Sequence, residues 1–525
     1  MSNQNIYSRE AILNKINPNE EWDVIIIGGG ATGLGTALDS VTRGYKTLLL
    51  EMADYAKGTS SRSTKLVHGG VRYLAQGNID LVKEALHERG LLAKNAPHLV
   101  KNQSFIIPNY KWWEGMYYTI GLKVYDFLAG KLSLGKSKHI KTKETVSRLS
   151  TLKQEKLKGG VVYKDGQFDD SRLAINVAQS CIEEGATLLN YFKVNGLEKY
   201  EKGNISGVKA TDTETNIDYT FKGKSVVNAT GIFTDEIIQM DNPEARKMVR
   251  PSQGVHLVFD KSFLPGDDAI MIPKTDDGRV LFAVPWHDKV IVGTTDTMLD
   301  EHSLEPQAQE QEIEFILKTF NKYIEKQATR DDVLSIYAGL RPLAAPKDNS
   351  EKSKEISRSH KIIVSKTGLV TITGGKWTTF RRMAQDTINK IINIGKLPKK
   401  ECKTANFALH GAEPMTNLDN HLYIYGSDKE KIESLMQKEP HLAEKLNPRL
   451  PFTKAEVIWA VRHEMARTID DVLSRRVRAL FLNAKAAIES APIVAEILAQ
   501  ELDKDENWKK NQLEAFNKMA KHYTI

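Results

Sequence analysis

Two patterns of apolar and polar positions alternate through about residue 400. Short runs such as Val24–Ile27, Lys46–Leu50, Lys224–Asn228 and Val370–Thr373 are rich in Val, Ile and Leu, and their apolar residues form near-continuous stretches, as in strands buried on both faces of a sheet. Stretches with helical periodicity separate them, and this alternation predicts an α/β architecture. The character then changes. From about Thr453 to Leu502 the chain reads as helices with few β-branched runs. Thr453 followed by Glu456 fits a capping box and predicts a helix start. The helical pattern runs on from Asn483 to Gln500, with a break predicted at Pro492. A loop-rich stretch near residues 397–420 is predicted to join this helical C-terminal domain to the rest.

Composition adds bounds. The 525 residues are enough for two or three domains, and 41% hydrophobic with 27% charged residues is ordinary globular usage. A net charge of +7 is too small over so large a surface to argue for nucleic acid; it suits an anionic substrate or an anionic membrane surface. Cys181 and Cys402 are the only cysteines, which excludes a disulfide-held scaffold and a clustered thiolate metal site, and no metal is expected. The N-terminal residues carry no apolar core of signal-peptide length, and no run reaches the roughly 20 apolar residues a membrane span needs. A reducing compartment is expected.

The sharpest chemistry lies between Trp22 and Glu51. The apolar run Val24–Ile27 leads into Gly28-Gly29-Gly30-Ala31-Thr32-Gly33, a helical pattern follows to Arg43, and a second strand ends at Glu51, 18 residues after Gly33. This is a dinucleotide-binding fingerprint. Gly28 permits the tight turn, Gly30 lets backbone approach a pyrophosphate, and Gly33 allows close helix–strand packing. The helix N-terminus attracts phosphate, and Glu51 is placed to accept from ribose hydroxyls. The unit alone does not separate NAD from FAD. Three later features favour FAD: the strand ending Ala229-Thr230-Gly231, the strand running into Gly374-Gly375-Lys376 before a helix, and the hairpin-like Asn204–Val208. They point to the two-dinucleotide-binding flavoprotein type, where a second helix N-terminus stabilises the reduced ring.

The segment from Thr59 through Ser60, Ser61, Thr64, Lys65 and His68 to Arg72-Tyr73-Leu74 closely resembles the FAD-dependent, membrane-associated glycerol-3-phosphate dehydrogenases. So do Val292-Gly293-Thr294-Thr295-Asp296, Tyr337–Leu343, Thr373–Thr379 and the helical segment around His463–Thr468 and Asp470–Leu473. The resemblance spans roughly residues 20 to 500. It implies a D-amino-acid-oxidase-like fold with a discontinuous FAD-binding domain (20–100, 150–250 and 335–397), a substrate-binding cap (101–149 and 251–334) and a helical C-terminal domain (398–525). It implies oxidation of sn-glycerol 3-phosphate to dihydroxyacetone phosphate by hydride transfer from C2 to flavin N5, with non-covalent FAD and electrons passed to a quinone. It also implies a cytoplasmic protein, peripheral on the inner face of the cytoplasmic membrane. Oligomeric state is left open, a homodimer being one form.

Roles follow from the resemblance. Arg72, Arg341 and Arg358 are the phosphate ligands, since guanidinium gives planar, permanently charged recognition of a dianion; Tyr73 is a neutral donor and Lys376 lies beside them. His256, in Gln253-Gly254-Val255-His256-Leu257, matches a family histidine and has a suitable ordinary pKa for a base. His68 and Lys376 are the other candidates, and the three are not separated. Thr59, Ser60, Ser61, Thr64 and Lys65 are expected along the path from pyrophosphate to flavin.

The aromatic segment Lys111–Ile120, continuing to Leu128 and followed by Lys131, Lys136, Lys138, Lys141 and Lys143, reads first as an amphipathic helix packed on the substrate domain with its lysines in solvent. The second reading is a membrane-surface element, with Trp and Tyr at the interface and lysines on anionic headgroups. Three rivals to the whole assignment stay open: an oxygen-using glycerol-3-phosphate oxidase, an amine or amino-acid oxidase on a related fold, and a flavin-free carrier.

Overall fold

A computed structural model describes residues 5–17, 19–75, 77–275, 278–344 and 360–525. Its organising element is a six-stranded sheet in the order Lys361–Val364, Val370–Thr373, Val226–Asn228, Val24–Ile27, Thr47–Leu50, Thr187–Leu189. All neighbours are parallel except the edge strand Lys361–Val364, which runs antiparallel. Helices Ala31–Thr42, Asp170–Glu183 and Phe380–Ile394 cover it. Val24 to Ile27 and Leu48 to Leu50 are all buried, which is why these runs are apolar at every position rather than at alternate ones. The predicted hairpin is present: Phe192–Lys199, Ile205–Asp212 and Ile217–Gly223 form an antiparallel sheet closed by Glu21–Trp22.

The second layer is a ten-stranded sheet in which Val249–Asp260 and Val333–Ala344 pair antiparallel over almost their whole length, Gly254 opposite Gly339. Three strands fall on the other side of the expected boundaries. Leu66–Val67 pairs with Gly159–Phe168, Gly159–Phe168 with Val100–Asn109, and Val333–Ala344 with Val249–Asp260, so all three belong to this cap sheet although their numbers lay in segments expected around FAD. Pairing partners, not chain order, decide which sheet takes a strand.

The C-terminal helices Lys454–Glu464, Ala484–Glu501 and Glu506–Ala520 pack in an apolar cluster that also takes in Val258, Trp286, Ile291 and Tyr337 of the cap sheet. The capping box is as read: Thr453 N–H donates to Glu456 Oε2 at 2.7 Å. Pro492, in contrast, does not break its helix; Ala484–Glu501 is continuous through it. Buried Ala491, Val494, Ala495 and Leu498 hold that turn, and their burial outweighs the one backbone hydrogen bond a proline removes. A buried ionic seam ties these helices to the first domain. Asp54 accepts from Arg475 at 2.5 Å and from Arg476 at 2.7 and 2.9 Å, and Glu464 takes Arg172 with two 2.7 Å bonds. Arg476 on Asp54 and Arg172 on Glu464 are bidentate at full burial, where removing one partner would cost several kcal/mol.

Candidate active site

The glycine turn folds as its sequence requires. Gly28 has φ +107°, and a Cβ there would lie 2.7 Å from the Ala229 carbonyl. A Cβ on Gly33 would lie 1.8 Å from the Gly28 carbonyl, so helix and strand approach more closely than any side chain permits. Gly30 caps the helix Ala31–Thr42, and Ala31 N–H donates to Ser60 Oγ at 2.9 Å. The Glu51 carboxylate is half-buried and accepts from the N–H groups of Gly29 at 2.5 Å and Ala53 at 2.8 Å. Burial raises its pKa against these two donors.

Two further glycine-rich strand ends close on this turn. Ala229 N–H donates to the Ile27 carbonyl at 2.9 Å, bringing Ala229-Thr230-Gly231 beside Gly28. After Val370–Thr373 the chain turns through Gly374 and Gly375, at φ +75° and +77°. The Lys376 ammonium then sits 3.8 Å above the Tyr73 ring, and Trp377 Nε1 donates to the Ser60 carbonyl at 2.8 Å. These glycines leave a backbone-lined cradle, and a Cβ at Gly231 or Gly58 would meet nothing within 4 Å. A long, flat dinucleotide fits such a lining.

The cradle is one part of a cavity of about 460 Å³. Its far wall is the cap sheet. His256 is buried there, its Nε2 within 2.9 Å of Thr64 Oγ1 and its ring stacked on Tyr337 at 4.8 Å. Burial, Lys65 and Arg341 hold its pKa well below the ordinary histidine value, so the ring is neutral at physiological pH. Arg341 extends from the neighbouring strand and donates to Thr294 Oγ1 and the Thr295 carbonyl at 3.2 Å, with Asp296 at 3.4 Å. Gly254 gives it room: a Cβ at that position would lie 2.4 Å from Arg341 Nη2.

Most of the residues expected in the site meet in this cavity: Gly28, Gly30, Thr32, Glu51, Thr59, Ser60, Thr64, His68, Tyr73, Ala229, Thr230, Gly231, His256, Arg341, Gly374, Gly375 and Lys376. Arg72 lies on the short helix Val71–Ala75 between the cavity-lining Val71 and Tyr73. Arg358 lies outside the described residues. Gly33 acts from behind the wall, through packing. Ser61 and Lys65 do not line the cavity. Lys65 turns away into the core, 2.7 Å from Asp170 Oδ2 and from the Ser61 carbonyl, among the rings of Trp286, Tyr337 and Phe481. Burial and the Arg478 guanidinium pull its pKa down to about 7, against the opposing Asp170. Sequence reasoning passed over Arg279, which lines the cavity with its guanidinium over Phe315 at 4.7 Å; no motif distinguishes it. Asp296, beside Arg341, was visible only as the last residue of a family motif.

The aromatic segment packs one face on the substrate domain with its lysines exposed, as first read, and leaves a second apolar face open. On the helix Glu114–Ala129 only Gly115, Leu122 and Tyr125 are buried. Trp113, Met116, Tyr117, Ile120, Val124 and Phe127 form an exposed stripe at helical spacing, beside exposed Trp112; Trp112 and Phe127 are each 84% exposed. The helix is apolar on both faces, so the inward one packs and the outward one stays open. Lys111, Lys123, Lys131 and Lys136 are exposed around it. Among the described residues no helix is long and apolar enough to cross a membrane.

Comparison with known proteins agrees with this geometry. Residues 23–381 match the FAD dependent oxidoreductase family, and residues 365–509 match the C-terminal domain of alpha-glycerophosphate oxidase. A probable mitochondrial glycerol-3-phosphate dehydrogenase of Caenorhabditis elegans is 40% identical over 97% of this chain and 74% of its own. The mitochondrial glycerol-3-phosphate dehydrogenase of Homo sapiens is 38% identical over 97% and 75%. The solved glycerol-3-phosphate dehydrogenase of Bacillus halodurans, complexed with FAD, superposes with a TM-score of 0.80 at 29% identity, covering 99% of this chain and 98% of that one. The FAD-bound L-alpha-glycerophosphate oxidase of Mycoplasma pneumoniae, 18% identical with a TM-score of 0.56 over 73% of this chain and 97% of its own, shares the fold.

Proposed function

Because the chain belongs to the FAD-dependent glycerol-3-phosphate dehydrogenase family, we propose that it oxidises sn-glycerol 3-phosphate to dihydroxyacetone phosphate and delivers the electrons to a quinone at a membrane surface. The observation that carries this is the convergence of Arg341, His256, Lys376 and Tyr73 with three glycine-rich strand ends on one cavity. FAD, held without a covalent bond, supplies the two-electron acceptor for the hydride leaving C2.

The chain's own residues do the rest. The Gly28–Gly33 turn and the helix it opens hold the pyrophosphate, Glu51 takes the ribose, and Ala229–Gly231 with Gly374–Lys376 flank the ring. Arg341, with Arg72 and Arg358, fixes the phosphate dianion, and Tyr73 donates to it. The C2 hydroxyl proton leaves to a base at this end of the cavity: His256, held neutral and oriented by Thr64, or Lys376 or His68. Arg341 and Lys376 place positive charge where the C2 oxygen gains negative charge.

The exposed stripe Trp113–Phe127 and its lysines support attachment to an anionic membrane surface on the cytoplasmic side. Electron acceptor is tested with purified holoenzyme and glycerol 3-phosphate. Reduction of a short-chain quinone with little peroxide is expected; stoichiometric peroxide without quinone reduction would assign the chain as an oxidase instead.

A further inference from the structure

The loop that follows Glu51 runs along the cradle. Ala56 N–H donates to the Gly29 carbonyl at 3.0 Å, and Ser60 Oγ accepts from Ala31 N–H at the start of the first sheet-covering helix. Lys57, Gly58, Thr59, Ser60 and Arg62 all line the cavity. The one regular element in this loop is the short turn Thr59–Ser61. Ordering such a stretch costs conformational entropy, and a loop that is not already fixed draws that cost from the binding of the dinucleotide.

The two cations of the loop are held from outside the FAD-side sheet. Arg62 is buried and donates from Nη1 to the Leu304 carbonyl at 3.0 Å and from Nη2 to Glu305 Oε2 at 2.5 Å. Lys57 Nζ lies 2.7 Å from Glu305 Oε1 and 2.5 Å from Asp470 Oδ2. Glu305 stands in the cap, between the strand Thr297–Met298 and the helix Glu310–Phe320, and Asp470 stands among the C-terminal helices. A third contact comes from the turn Lys521–Tyr523, which follows the helix Glu506–Ala520. Tyr523 is buried, its ring meets Phe481 edge-on at 5.4 Å, and its hydroxyl donates to Glu305 Oε2 at 3.2 Å. One carboxylate thus joins the FAD loop to the cap and to the C-terminal domain. Each cation already faces a carboxylate, so the charges are matched within the protein. What the node gives the cavity is a loop of fixed shape.

We propose that Glu305 is a positioning residue for the cofactor: it clamps Lys57 and Arg62, Tyr523 steadies it from the C-terminal domain, and the loop 52–62 is thereby held in the shape that retains FAD. Among the described residues none beyond 397 lines the cavity, so the C-terminal domain acts on the flavin through this node rather than by contact. By linkage, loosening Tyr523 loosens FAD. The inference holds whichever acceptor takes the electrons.

The test uses holoenzyme carrying Tyr523→Phe, which keeps the ring and removes the hydroxyl, or Tyr523→Ala, which removes both. Release of FAD is followed as the rise in fluorescence of the freed flavin, amide hydrogen exchange is mapped over residues 52–63, and unfolding of the helices is followed by circular dichroism. Expected are release faster by about threefold for Tyr523→Phe and about tenfold for Tyr523→Ala, faster exchange at 52–63 in both, and an unfolding midpoint for Tyr523→Phe within about 2 °C of wild type. In a Glu305→Met background, Tyr523→Phe should leave the release rate unchanged, because the hydroxyl acts through that carboxylate. Unchanged release from Tyr523→Ala, or a Tyr523→Phe effect of equal size with and without Glu305, would overturn the proposal. So would faster exchange across residues 454–520 in place of the loop, which would leave Tyr523 a support of its own domain only.

Discussion

His410 ties the C-terminal segment to the FAD-side helix Asp170–Glu183. Its Nδ1 lies 2.7 Å from Glu183 Oε1, its Nε2 lies 2.6 Å from Asp428 Oδ2, and its backbone N–H donates to Ser180 Oγ at 2.8 Å. Burial opposes its charge, but the two carboxylates outweigh that and raise its pKa from 6.5 to about 9. Both carboxylates move the other way, Asp428 down to about 2, as a shared ion pair requires. A raised histidine pKa stabilises the fold fully below the unfolded value of 6.5, and the contribution is lost as pH rises through 9. The shift of about 2.5 units, at about 1.4 kcal/mol per unit, makes this contribution about 3 kcal/mol. The perturbation is His410→Gln, compared with wild-type holoprotein by urea unfolding from pH 6 to pH 10. Every other titrating group, including Lys65, is common to both proteins, so the gap between them isolates His410. The gap should narrow by about 3 kcal/mol across that range. A gap of constant size would refute the reasoning and reduce the His410 contacts to uncharged hydrogen bonds.

Three further outcomes follow from other parts of the structure. Gly33→Ala drives a methyl group into the Gly28 carbonyl and should weaken FAD retention at least tenfold, read as the flavin-to-protein ratio after dialysis, whereas Gly58→Ala, which meets nothing, should retain the flavin. Arg341→Met removes a bidentate cation from the phosphate end and should lower kcat/KM for glycerol 3-phosphate by about 30-fold or more, on the order of 2 kcal/mol; an unchanged kcat/KM would remove Arg341 from the substrate site. Replacing Trp112 and Phe127 together by Ser should cut binding to anionic vesicles about tenfold without altering turnover with a soluble dye. Equal sedimentation of variant and wild type would show that this face is not the membrane contact.

The parts of the fold legible in the sequence were those set by local rules. The apolar run at Val24–Ile27, the glycine spacing and the capping box at Thr453 each demand one backbone conformation, and each is found where expected. What stayed hidden depends on distant partners. Lys65 stands inside a cavity-facing motif, yet Asp170, 105 residues on, draws its ammonium into the core. Arg279 lies in no motif, and only strand pairing brings its hairpin to the cavity. The outward stripe of Glu114–Ala129 was ambiguous because both faces are apolar, so periodicity alone did not say which one the protein covers. Asp54 with Arg475 and Arg476 is separated by more than four hundred positions, and no spacing rule connects them.

The proposed reaction requires the cavity to join a flavin to a phosphorylated triol. Anaerobic mixing of holoenzyme with sn-glycerol 3-phosphate tests it most directly, followed through the visible absorption of bound FAD. Bleaching is predicted with glycerol 3-phosphate and not with unphosphorylated glycerol, because the arginine end of the cavity gives the uncharged triol no anchor. A flavin that stays oxidised with the phosphate ester, or bleaches equally with glycerol, would contradict it.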